Sequence, residues 1–193
     1  MGLDEELAAH VEAIRGTVQG SAGVIDDIVT RISACFEQGG KVLICGNGGS
    51  AADAQHFAAE FMNRMRVDHE PWPSIALTTD TSVLTSIAND STYGDVFARQ
   101  VDALGRPGDV LIALSTSGGS ETVLAAIQAG RRRGMVTVGF TGAAGAGLMG
   151  KDCDLLLAVP SSDTARIQEC HEFVYHFIAG AVEAQLVERA KSH

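Results

Sequence analysis

The sequence is short of positive charge: 14 Lys and Arg stand against 24 Asp and Glu, a formal net charge of −10 over 193 residues. That balance argues against a nucleic-acid backbone or an anionic membrane surface as the main partner. It still permits a small anion held locally by oriented backbone N–H groups. No apolar run reaches the roughly 20 residues of a membrane span. The start MGLDEELAAH has neither the basic nor the apolar region of a secretory signal. The expectation is a cytoplasmic chain with no nucleic-acid and no membrane partner. The four cysteines include no CxxC pair, and Cys45 lies in an apolar stretch. A core thiol is therefore expected there, not a disulfide or a thiolate metal site. A linker, a low-complexity tract and a second domain are also missing.

What is present suits one compact domain over residues 1–193, since 46% of side chains are hydrophobic. Residues 4–37 carry apolar positions at helical spacing, with an interruption expected at 16–23, where three glycines weaken a continuous helix. An N-terminal helical segment of about residues 1–38 thus precedes the core. A rhythm of apolar strand, Gly/Ser/Thr loop and helix follows. It runs KVLIC then GNGGS, SIALTT then DTS, DVLIAL then STSGGS, VTVGF then TGAAGAG, and DLLLAV then PSSDT. Such alternation predicts an α/β three-layer sandwich: a central parallel five-stranded sheet flanked by helices on both faces. Ligands of such sheets bind beyond the carboxyl ends of the strands, where all five loops fall. Residues 164–191, free of proline and helical in spacing, predict a long C-terminal helix.

The stretch ICGNGGSAADAQHFAAEF, residues 44–61, passes from strand through a glycine turn into helix. It is not a P-loop, because no Gly-Lys-Ser/Thr follows. Gly46, Gly48 and Ala51 match Gly-x-Gly-x-x-Ala, but the acid that should end the next strand roughly 20 residues on is out of place, its candidate Asp80 lying farther away because the intervening helix is long. A sugar-phosphate site is the better reading. There the glycines allow close backbone approach while Ser50 and nearby N–H groups bond ligand oxygens; the alternative is an ordinary strand-to-helix turn. The stretch STSGGSET, residues 115–122, repeats the arrangement. Ser115, Thr116, Ser117 and Ser120 supply hydroxyls around Gly118 and Gly119. One hydroxyl is explained by a helix cap, four in six residues are not, and the loop reads as a phosphate cradle.

His56 and Glu60 are four residues apart, so they project from one helix face about one turn apart. They suit a shared small target or, as the plainer reading, a weak surface pair. In RIQECHEFVYH, Gln168, Glu172 and His176 recur at four-residue spacing. His171 and His176 diverge by about 140° and do not chelate together, whereas Gln168 and His176 share a face.

Taken together, these segments resemble the sugar isomerase (SIS) domain proteins, of flavodoxin-like fold, and within them the sedoheptulose 7-phosphate isomerases. The resemblance runs over nearly the whole chain, through GNGGSAADAQHFAAEF, LTSIANDSTYGDVFARQV, GDVLIALSTSGGS, VGFTG and RIQECHEFVYH. It implies a zinc site, one ion per subunit, formed by His56, Glu60, Gln168 and His176. It also implies substrate contacts from Asn47, Gly48, Gly49, Asn89, Asp90, Ser115, Thr116, Ser117 and Ser120, with Glu60 and Gln168 touching substrate as well. No position in these sets departs from the family pattern. A homotetramer with active sites shared between subunits is implied too, the N-terminal helices serving as packing elements.

The implied reaction converts D-sedoheptulose 7-phosphate to D-glycero-D-manno-heptose 7-phosphate, the first step towards nucleotide-activated heptose. Ketose-to-aldose conversion moves a proton between adjacent carbons, most simply through a cis-enediol with a positioned base and acid. Glu60 fits the carbon-proton shuttle and His176 the partner at oxygen. One atom cannot be both a tight zinc ligand and an effective base, so the metal either shifts in turnover or organises the pocket. Other SIS proteins sense a sugar phosphate or act as tetrameric adaptors for a replication initiator. An adaptor has no need of His56, Glu60, Gln168 and His176 together.

Overall fold

The computed structural model describes residues 2–191. α1 (Leu3–Glu37) precedes β1 (Val42–Gly46), α2 (Gly49–Met62), β2 (Ser74–Ala76), α3 (Thr81–Asp90) and α4 (Ala98–Leu104). β3 (Val110–Leu114), α5 (Glu121–Arg132), β4 (Val136–Gly142), α6 (Ala146–Met149), β5 (Leu155–Val159) and α7 (Thr164–Lys191) complete the chain. The five strands form one parallel sheet in the order β2-β1-β3-β4-β5. All five residues of β1, and all five of β3, are buried. Strands covered on both faces read as unbroken apolar runs, which is how VLIC and VLIAL appear in the sequence.

Strand alternation divides the core into two layers. Val42, Ile44, Val110, Ile112, Leu114, Val138, Phe140 and Leu157 face a cluster closed by α1, α2 and α7. Leu43, Cys45, Leu111 and Ala113 face the other, closed mainly by α3, α4 and α5. The cysteines are free, as expected, and burial pushes the Cys45 thiol up to about 12. No helix among the described residues is long and apolar enough to cross a membrane.

Two expectations need correction. α1 is one continuous helix of 35 residues with no break at 16–23. Each glycine costs about 1 kcal/mol in a helix interior. That is outweighed by burial of Ile25, Ile28, Val29, Ile32 and Phe36, at roughly 1.5–3 kcal/mol per large apolar side chain. Gly16 also has a packing reason, since a Cβ there would lie 2.9 Å from Pro160 Cγ. The second difference is β2, which ends at Ala76 and turns through residues 77–79. Asp80 then caps α3 by accepting from the Val83 N–H at 3.0 Å. That use of the carboxylate agrees with rejecting a dinucleotide site.

At the far end of α2 the buried Glu183 carboxylate accepts from the backbone N–H groups of Met65, Arg66 and Val67. It anchors α2 to α7 beyond the core contact between them. The sheet reverses its winding between β1 and β3, whose last residues, Gly46 and Leu114, lie in register. A crevice at that switch point is where such sheets hold ligands.

Candidate active site

The first loop turns on Gly48, whose φ of +56° and ψ of −121° suit glycine alone. At Gly46 a Cβ would lie 2.6 Å from the Ser50 carbonyl oxygen, so that position is closed to side chains as well. Asn47 is fixed from both ends of its amide. Its Nδ2 donates to Thr122 Oγ1 at 2.7 Å, and its Oδ1 accepts from the Tyr93 hydroxyl at 3.1 Å. The Thr122 bond ties the first loop to the opening turn of α5, which carries the second loop.

The second loop is built around its serines. Ser115 Oγ lies 3.1 Å from Ser120 Oγ and accepts from the Gly118 N–H at 3.1 Å. Ser117 Oγ accepts from the Gly119 N–H at 3.3 Å. Gly118 has a φ of +67°. Ser120 occupies the N-cap position of α5, yet its side chain makes no capping bond. Its hydroxyl stays with the loop, which removes the cap reading for this residue. Asn89 and Asp90 stand exposed at the end of α3, where Asn89 Nδ2 donates to Asp90 Oδ1 at 2.8 Å. Tyr93, just beyond them, links this segment to the first loop.

α2 and α7 both leave the carboxyl edge of the sheet, so they run in the same direction and meet along a polar seam. On α2 the seam consists of Gly49, Asp53, His56 and Glu60, spaced four, three and four residues apart on one face. His56 Nε2 lies 3.1 Å from Glu60 Oε1 and 3.4 Å from His176 Nε2. The Tyr175 hydroxyl reaches the other ring nitrogen of His56, Nδ1, at 3.0 Å. Burial, then the carboxylates of Glu172, Asp53 and Glu60, push the Tyr175 phenol well above its usual range, so it stays neutral.

One ligand atom each from His56, Glu60 and His176 lie within 4.8 Å of one another. Two imidazoles and a carboxylate are a donor set that suits zinc, and the Tyr175 bond supplies the outer contact that orients a ligating histidine. Gln168 meets α2 earlier, over Gly49, where its Nε2 donates to Asp53 Oδ1 at 3.2 Å. His56, Glu60 and His176 are thus the closely grouped candidates among the histidines and acids. His171 points elsewhere, as its spacing requires: it is fully buried, and burial holds its imidazole down at about 4.

Sequence reasoning missed Asp53, Tyr175, Tyr93 and Thr122. Asp53 was within reach, since it continues the face of His56 and Glu60 one turn back. The other three act through contacts between distant segments, which no local pattern records.

Comparison with known proteins agrees with this fold. The SIS domain model matches residues 6–142. The phosphoheptose isomerase of Roseiflexus sp. is 54% identical over 184 residues, covering 95% of this chain and 93% of that one. The structure of the phosphoheptose isomerase from Neisseria gonorrhoeae superposes with a TM-score of 0.84 at 41% identity, covering 95% of this chain and all of that one. The phosphoheptose isomerase from Francisella tularensis superposes at 0.88 with 33% identity, covering 94% and 96%. With the doubly wound sheet, the two serine and glycine loops and the His56–Glu60–His176 cluster, these similarities place the chain in the SIS domain family, among the phosphoheptose isomerases.

Proposed function

We propose that this chain is an aldose–ketose isomerase that converts D-sedoheptulose 7-phosphate to D-glycero-D-manno-heptose 7-phosphate, the first step of nucleotide-activated heptose formation. The observation that carries this reading is the convergence of Glu60, His56 and His176 in a protein whose switch-point loops are furnished for a phosphate. The domain is residues 1–193 as a unit, with α7 packed on α1 and α2. The four free thiols suit a cytoplasmic enzyme.

The chemistry divides among named groups. Ser115, Thr116, Ser117 and Ser120, with the N–H groups of Gly118 and Gly119, hold the phosphate. Asn47, Gly48, Gly49, Ser50, Asn89, Asp90 and Gln168 contact the sugar. The Glu60 carboxylate carries the proton between C1 and C2 through a cis-enediol, and His176 exchanges the proton on the neighbouring oxygen. Tyr175 holds the His56 ring in place through Nδ1. Zinc, one ion per subunit, would be held by His56, Glu60 and His176 together with Gln168, and when bound would polarise the substrate oxygens.

The reading includes a homotetramer in which loops of one subunit face the His–Glu cluster of another. The exposed apolar face of Val18, Phe173 and Phe177, around a groove of about 230 Å³ between α1 and α7, supports such contacts.

Two experiments test this. NMR of purified enzyme with sedoheptulose 7-phosphate should show the aldose product. No turnover in the presence of zinc would leave a sugar-phosphate sensor or an adaptor as the alternative. Elemental analysis should find about one zinc per subunit, reduced in His56→Ala. Full activity after exhaustive chelation would remove the metal from catalysis.

A further inference from the structure

Asp53 is unusual for a carboxylate. It is 6% exposed, burial pushes its carboxyl up, and among the described residues its Oδ2 has no hydrogen-bond partner. It lies five residues into α2, too far along to cap the helix. Buried polar atoms are nearly always satisfied, so an exception beside an active site calls for an explanation.

We propose that Asp53 is a positioning residue that fixes the Gln168 carboxamide in one of its two orientations, with the NH₂ on Asp53 and the carbonyl oxygen presented over Gly49 at the start of α2. A carboxylate oxygen of Asp53 accepts, so the Gln168 NH₂ must be the end that faces it, at 3.2 Å. An unaided glutamine amide has no such preference, because its oxygen and nitrogen ends are nearly equal in shape. Gly49 completes the slot. It lies one turn before Asp53 on the same face, and a Cβ there would come within 2.5 Å of Gln168 Oε1 and 2.6 Å of Nε2. The amide therefore lies flat on bare backbone, with Asp53 setting which end points where. The importance of the oxygen rests on the reading of Gln168 as a contact to sugar and ion.

The test is a double-mutant cycle. Asp53→Ala, Gln168→Ala and the double variant are titrated with sedoheptulose 7-phosphate and, separately, with zinc, while thermal melting checks that each folds. Loss of an outer hydrogen bond to a ligating group typically weakens binding 10–100-fold. Asp53→Ala should weaken the same ligand that Gln168→Ala weakens, by about tenfold, and the double variant should be no worse than Gln168→Ala alone. Asp53→Asn, whose amide can either accept or donate, should weaken binding less but in the same sense.

Wild-type affinity in Asp53→Ala beside a weakened Gln168→Ala overturns the inference and leaves the role of Gln168 standing. So do independent, multiplying effects in the double variant. If Asp53→Ala does not fold, Asp53→Asn decides, and wild-type affinity there is contradictory. Wild-type affinity in Gln168→Ala for both ligands ends the inference together with the reading of Gln168.

Discussion

His171 and His176 are five residues apart on α7, and a rotation of about 140° sends them to opposite fates. His176 joins His56 and Glu60 at the seam. His171 is sealed against Phe140 and the Thr141 carbonyl, and desolvation lowers its pKa from 6.5 to about 4. An imidazole held neutral in the native state but free to protonate when unfolded favours unfolding as pH falls. Its full contribution to stability is present above pH 6.5 and is lost progressively between 6.5 and about 4. At 1.36 kcal/mol per unit the loss sums to about 3 kcal/mol. Urea unfolding of wild type and His171→Leu, compared at pH 7.5 and 4.5, should show the smaller pH dependence in the variant. Equal slopes would mean that the ring titrates normally.

At the scale of elements, the two loop-to-helix units divide the work. The Ser115–Ser120 loop is prearranged by its own hydroxyls, so removing one should cost binding more than folding. A hydrogen bond to a charged group contributes about 1.5–3 kcal/mol. Ser120→Ala should thus weaken heptulose phosphate binding roughly 10–100-fold by calorimetry, with the melting temperature nearly unchanged. Unchanged affinity in both Ser117→Ala and Ser120→Ala would move the phosphate elsewhere. These units were legible because strand, glycine turn and helix are local patterns, and the strands announce themselves as apolar runs. The unbroken course of α1 was not legible, because glycine propensity is local while the packing that overrides it comes from α7 and β5. The Asp53–Gln168 bond joins residues 115 positions apart and the Tyr175–His56 bond residues 119 apart, so neither leaves a mark in spacing.

The whole molecule raises the question of whether one subunit holds a complete site. If copies share sites, the exposed Phe173 and Phe177 belong to subunit contacts, and both assembly and activity should respond to charge placed there. Phe177→Asp should sediment as a species smaller than the tetramer expected of wild type, and should lose turnover although Phe177 has no part in the chemistry. A dissociated variant with full turnover would mean that each chain holds a complete site.

The central claim is that Glu60 moves the carbon-bound proton, and the most direct test is single-turnover conversion by Glu60→Gln at saturating sedoheptulose 7-phosphate. Glutamine keeps the size and hydrogen-bonding ability but lacks the basic carboxylate, so conversion should fall by orders of magnitude while substrate affinity is largely kept. A single-turnover rate near wild type would contradict the account and pass the role of base to His176 or Asp90.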